Sequence, residues 1–138
     1  MQIIVVCYVV ILLYASYKDY KTYTVSRFTN MGILALALTD LSGFPLHLVG
    51  AVILTIPFLY LSVKTNQMGG GDIKFIFVNG CFLGLDANYS GIFIGFFLVM
   101  LAGIVKKHCR SYKGKKKIAL VPYLVAGYLL VIIRKIFL

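Results

Sequence analysis

The sequence predicts an all-α integral membrane protein: a single domain over residues 1–138, built as a bundle of about six transmembrane helices with the N-terminus outside. Hydrophobic residues make up 61% of the chain, and the mean hydropathy is +0.94. A soluble domain of 138 residues could not bury that much apolar surface. Apolar runs also recur along the whole chain, at residues 3–14, 31–38, 48–63, 75–85, 91–105 and 118–133.

The six runs differ in how well each predicts a spanning helix. The first run has no basic residue before it and is followed by Lys18 and Lys21, the reverse of a signal peptide, so we interpret residues 2–17 as a retained anchor. The second and fourth runs are interrupted early, by Asp40 and by Gly84, and fall well short of the roughly 20 residues that a spanning helix needs. They reach the length of a span only with the help of flanking Tyr, Thr and Lys side chains that extend toward the headgroups.

The basic residues give an independent indication of topology. Six spans from an outside N-terminus put all 14 Lys and Arg residues on one side except Arg134 and Lys135. This asymmetry is expected when the basic side is cytoplasmic. The same arrangement puts Asp19 and Asp72 at the cytoplasmic face.

The net charge of +10 is concentrated in one predicted loop, residues 106–117. We interpret this loop as a determinant of topology and a contact for anionic membrane lipids, rather than as a nucleic-acid site. The three cysteines are isolated and form no CxxC pair. The sequence therefore predicts no metal site and no cofactor.

Acidic residues are scarce, with four aspartates and no glutamate in the chain. Asp19 ends the first predicted helix, and Asp72 opens the fourth, directly after Gly69, Gly70 and Gly71. Two carboxylates close together share one proton, so the ionised one can activate a water while the protonated one polarises a peptide carbonyl. The pair therefore suggests acid-base peptide hydrolysis.

The three glycines allow two interpretations. Without Cβ atoms they allow unusual dihedral angles and let an extended substrate strand approach the backbone. Alternatively, the segment is a loop that needs room to turn, and Asp72 caps the helix that follows.

The sequence resembles the type IV prepilin peptidase family, relatives of the intramembrane GxGD aspartic proteases, over nearly the whole chain. Residues 69–74 are similar to the GxGD signature and its following lysine. Residues 19–26 resemble the family's first catalytic segment, and residues 121–123, Val-Pro-Tyr, resemble the start of its last helix. One departure is that the usual Ile-Pro-Asn triplet reads Val-Ser-Arg at residues 25–27.

The resemblance implies residue roles. Asp19 and Asp72 would be the catalytic pair, and residues 69–71 would shape the site or bind substrate. Lys74 would be a supporting electrostatic contact, or simply another basic anchor on the cytoplasmic side.

The resemblance also implies a substrate and a location. The substrate would be a prepilin-like precursor whose basic leader is removed at the cytoplasmic face of a bacterial-type inner membrane, with pilus or secretion assembly components as possible partners. The chain has no room for the CxxC-bearing insertion of the larger enzymes that also transfer a methyl group, so it resembles the short, peptidase-only branch.

Two functions without peptidase activity remain open from the residues alone. In a small transporter, Asp19 and Asp72 would bind protons or cations near the middle of the membrane. A scaffold subunit of a secretion system would not need both aspartates.

Overall fold

The computed structural model describes residues 2–39, 42–66, 68–108 and 119–138. These residues form six helices: α1 (Gln2–Thr22), α2 (Arg27–Ala37), α3 (Phe44–Thr65), α4 (Gly70–Leu83), α5 (Leu85–His108) and α6 (Val121–Phe137). Each apolar run falls mainly within one helix, so the all-α prediction is confirmed. Three helices, α1, α3 and α5, are long and apolar enough to cross a membrane.

The other three helices are shorter, with 11 residues in α2, 14 in α4 and 17 in α6. The predicted fourth run continues to Leu85, but α4 ends before Gly84, whose φ of 84° is a conformation that favours glycine. The chain therefore breaks at Gly84, and α5 begins at the next residue.

Helix α4 lies at the centre of the bundle, in contact with α2, α3 and α5. Helix α1 packs chiefly against α6 and α2, and the most extensive packing is between α5 and α6. One buried hydrophobic cluster joins α1, α2, α4, α5 and α6, with Tyr8, Phe75 and Tyr128 among its largest side chains.

Two cavities show how the helices run. At one end of the bundle, Val5 at the start of α1 and Lys135 near the end of α6 line the same cavity. At the other end, Asp19 near the end of α1 and Leu120 just before α6 line another. The two chain termini therefore lie at the same end of the bundle, opposite to Asp19.

Candidate active site

Asp19 lies in the last turn of α1. The sequence predicted that it ends the helix, but the helix continues to Thr22. It completes the buried stripe formed with Tyr8, Leu12 and Ala15, and only 3% of its surface is exposed. Its Oδ2 accepts a hydrogen bond from the backbone N–H of Val121 at 3.1 Å. Val121 is the first residue of α6, where backbone N–H groups are free and the helix dipole favours a carboxylate.

Asp72 lies in the first turn of α4 and is partly buried. It precedes the apolar part of that helix, which begins at Phe75. The pKa of Asp72 is raised to about 6, first by burial and second by the neighbouring charge of Asp19, while a hydrogen bond from the Gly69 backbone acts in the opposite direction. A carboxyl group with this pKa can hold a proton in mildly acidic and near-neutral solution.

The two aspartates, 53 positions apart in sequence, line one cavity of about 530 Å³. The remaining lining residues come from the residue after α1, the end of α3 and the residue after it, the segment leading into α4 with its first residue, and the segment before α6: Tyr23, Ser62, Asn66, Met68, Gly69, Gly70, Ala119 and Leu120. The cavity is open at one end of the bundle. It offers an extended peptide segment access to both carboxyl groups.

The structure separates the two uses that the sequence suggested for the glycines before Asp72. Unusual dihedral angles are not observed, because Gly69 has an extended conformation with φ −70° and Gly70 and Gly71 have no positive φ. The glycines contribute by the absence of a side chain, which leaves space in the cavity. A Cβ on Gly70 would meet nothing within 4 Å, and Gly69 and Gly70 both line the cavity.

Gly71 and Lys74 stand apart from the cavity. Gly71 instead faces Val25, whose Cβ would lie 3.4 Å from a Cβ at that position. Val25 belongs to the Val-Ser-Arg triplet that departs from the family pattern, so this triplet packs against the glycine segment. The side chain of Lys74 is exposed and is not among the cavity-lining residues, and its functional role stays a prediction.

Sequence reasoning missed three parts of this site. Tyr23 and Asn66 line the cavity with left-handed backbone conformations, both at φ 54°, which are uncommon for residues other than glycine. The donor to Asp19 is a backbone N–H, which carries no residue-type signal. Pro122 was the available sign, since proline near a helix start indicates a helix N-terminus with free N–H groups.

Within residues 2–39, 42–66, 68–108 and 119–138, no three His, Cys, Asp or Glu side chains gather closely enough to hold a metal ion. The predicted basic loop lies mostly outside these residues.

An all-α bundle with three helices of spanning length defines a membrane protein, and the cavity at one end gives it a candidate site with two carboxyl groups. The chain matches the type IV leader peptidase family over residues 6–104, from α1 into α5, and belongs to that family. The predicted family is thereby confirmed, and the chain is a peptidase. Searches of curated proteins and of solved structures find no match.

Proposed function

We propose that this protein is a membrane-embedded aspartic endopeptidase that removes the leader from type IV pilin-like precursors. The observation that carries the proposal is that Asp19 and Asp72, brought together from α1 and α4, line one open cavity. Membership of the type IV leader peptidase family supports peptide hydrolysis as the reaction and prepilin-like proteins as the substrate class.

The two aspartates take different roles in the proposed reaction. Asp19, held by the Val121 N–H, is the carboxylate that takes a proton from the attacking water. Asp72, with a pKa of about 6, is the carboxylic acid that donates its proton to the scissile carbonyl oxygen. When the tetrahedral intermediate collapses, Asp19 gives its proton to the leaving amine, the C–N bond breaks, and the carbonyl oxygen returns its proton to Asp72.

All six helices cross the bacterial-type inner membrane in this proposal, with the N-terminus outside and the cavity facing the cytoplasm. Helices α2, α4 and α6 are shorter than a typical span, and local thinning of the bilayer or flanking polar side chains accommodate such helices. The twelve basic residues that the sequence predicts on the cytoplasmic side support this orientation.

The test is substitution of each aspartate by asparagine, in cells with no other prepilin peptidase. Asp19→Asn and Asp72→Asn should each abolish leader cleavage of a co-expressed pilin-like precursor while the protein stays folded and inserted, because asparagine keeps the shape but cannot exchange the proton. The double variant should be no worse than either single one, since residues that act as a unit lose their effect together.

Lys74→Ala is the matched control, since Lys74 is exposed on the same helix as Asp72 but lies away from the cavity. It should cost less activity than either aspartate variant. Normal processing by either asparagine variant would refute the assignment of the pair.

A further inference from the structure

Two tyrosine–asparagine hydrogen bonds lie inside the bundle. The hydroxyl of Tyr8 on α1 donates to Oδ1 of Asn79 on α4. The hydroxyl of Tyr128 on α6 donates to Oδ1 of Asn88 on α5 at 2.9 Å. All four side chains are 0% exposed. The two pairs have the same chemistry, but only the first joins the two helices that carry the aspartates.

Helical geometry connects the Tyr8–Asn79 pair to the site. Tyr8 and Asp19 are eleven residues apart on α1, which at about 100° per residue puts them within roughly 20° of the same face. Asn79 and Asp72 are seven residues apart on α4, which again puts them within roughly 20° of one face. The hydrogen bond therefore joins α1 and α4 about 10 to 16 Å along the helices from the aspartates, on the faces that carry them.

Helices α1 and α4 have few direct backbone contacts with each other, although both pack against α2. The backbone of α1 packs chiefly against α6 and α2, so long side chains must bridge the space to α4. The ring of Tyr8 stacks on Phe82 of α4 with ring centroids 4.2 Å apart. Between these two fully described helices, Tyr8–Asn79 is the one side-chain hydrogen bond.

We propose that Tyr8 and Asn79 are positioning residues: their hydrogen bond fixes the rotation of α1 against α4 and thereby the separation of Asp19 and Asp72. Rotation of either helix about its axis would swing the carboxyl group on the same face. Neither residue lines the aspartate cavity, so they act through the aspartates and not on the substrate. The consequence for activity rests on the proposed function.

Tyr8→Phe is the first variant, because it deletes the hydroxyl and keeps the ring that stacks on Phe82. Its kcat for precursor cleavage should fall about tenfold or more, with KM little changed, since misplacement by a fraction of an ångström to 1 Å costs up to about a hundredfold.

Tyr128→Phe is the matched control. It deletes an equally buried hydrogen bond, but between helices whose register is fixed by close backbone contact, because a Cβ on Gly127 would lie 2.3 Å from the carbonyl oxygen of Gly91. Its kcat should stay within about twofold of the wild type. Equal losses in the two variants would overturn the proposal.

A double variant separates positioning from stability. In Tyr8→Phe the Asn79 oxygen is left without its donor, whereas Tyr8→Phe with Asn79→Leu replaces both partners by apolar groups, which is nearly neutral for stability. The double variant should recover the thermal unfolding temperature but not kcat, because an apolar pair has no directional bond to fix the rotation. Recovery of both would show that the pair only stabilises the fold.

Carboxyl titration tests the proposal without relying on peptidase activity. The chain has four aspartates and no glutamate, so 13C labelling of aspartate carboxyls gives four resonances, which single asparagine variants assign. The titration midpoint of Asp72 should move in Tyr8→Phe and stay in Tyr128→Phe. No movement in Tyr8→Phe, or the same movement in both, would overturn the positioning role even if the protein cleaves precursors. Cleavage by the asparagine variants would overturn the proposed function alone.

Discussion

At the scale of single residues, the two carboxyl groups sit in different surroundings. Asp19 is almost fully buried and receives a hydrogen bond from the N-terminus of α6. Asp72 is partly exposed, and its pKa of about 6 is caused first by burial and second by the charge of Asp19. The hydrogen bond at Asp19 favours its charged form, and the raised pKa of Asp72 favours its protonated form, which is the division that the proposed acid-base reaction needs.

The pH dependence of cleavage should follow from this arrangement. The free enzyme loses the Asp72 proton as the pH rises through about 6, so kcat/KM should fall on the alkaline side with an apparent pKa near that value. The alkaline fall of kcat should lie at a higher pH than that of kcat/KM, because a bound peptide covers the cavity and buries Asp72 further. Initial rates measured with purified enzyme from pH 5 to about pH 8 test this; a kcat/KM that rises through pH 6 would contradict it.

The contribution of Asp19 to the pKa of Asp72 can be measured separately. Asp19→Asn removes a negative charge, so the pKa of Asp72 should fall below about 6 but stay above its ordinary value of 3.8, because burial is the larger cause. Carboxyl 13C titration measures the change, with Asp86→Asn at the opposite end of the bundle as the control. An unchanged pKa in Asp19→Asn would mean that the two groups do not interact.

The sequence was sufficient to single out both aspartates, which the structure brings to one cavity, because acidic residues are rare in this chain and an ionisable group in a membrane protein usually has a function. Their catalytic role stays a prediction. The sequence could not predict the Val121 donor, since any residue at that place except proline offers the same N–H. It named two uses of glycine at residues 69–71, conformational freedom and absence of a side chain, and composition does not distinguish them.

At the scale of helices, small residues decide where backbones meet. A Cβ on Gly95 of α5 would lie 2.9 Å from the Cα of Leu124 and 3.2 Å from the carbonyl oxygen of Tyr123, both on α6. These are backbone atoms and cannot rotate away. Small residues at such positions allow membrane helices to approach closely.

Gly95→Ala should therefore destabilise the protein, by about 1–3 kcal/mol as other overpacked substitutions do. Gly103→Ala is the control, because it makes the same change on the same helix where a Cβ meets nothing within 4 Å. It should be neutral, or stabilising by up to about 1 kcal/mol. Unfolding in mixed detergent micelles measures both variants, and equal effects would show that α5 and α6 do not pack as described.

The apolar runs were enough to locate all six helices, because each contains a stretch too hydrophobic for a loop. They did not predict the pairing of Tyr8 with Asn79 or of Tyr128 with Asn88. A tyrosine in such a run fits the membrane interface as well as the interior, as the exposed Tyr17 and Tyr20 illustrate. Which tyrosines are buried depends on how the helices pack against one another, and a single apolar run does not determine that packing.

At the scale of the whole molecule, the helices alternate in direction, and the charges follow that alternation. The start of α1 and the end of α6 line one cavity, and both aspartates line another at the opposite end. Arg134 and Lys135 belong to the first end, whereas the other twelve basic residues belong to the predicted loops of the second. The observed helix directions thus support the sorting of charge that the sequence suggested.

This sorting leads to a topology that labelling can test. Since basic loops stay on the cytoplasmic side, both termini should lie outside and residue 113 inside. In a variant without Cys7, Cys81 and Cys109, an impermeant maleimide added to intact cells should label Gln2→Cys but not Lys113→Cys, and should label both after the membrane is opened. Labelling of residue 113 in intact cells would reverse the orientation and put the aspartate cavity outside. A leader that stays in the cytoplasm could not reach a cavity there, so this result would also refute the proposed site of cleavage.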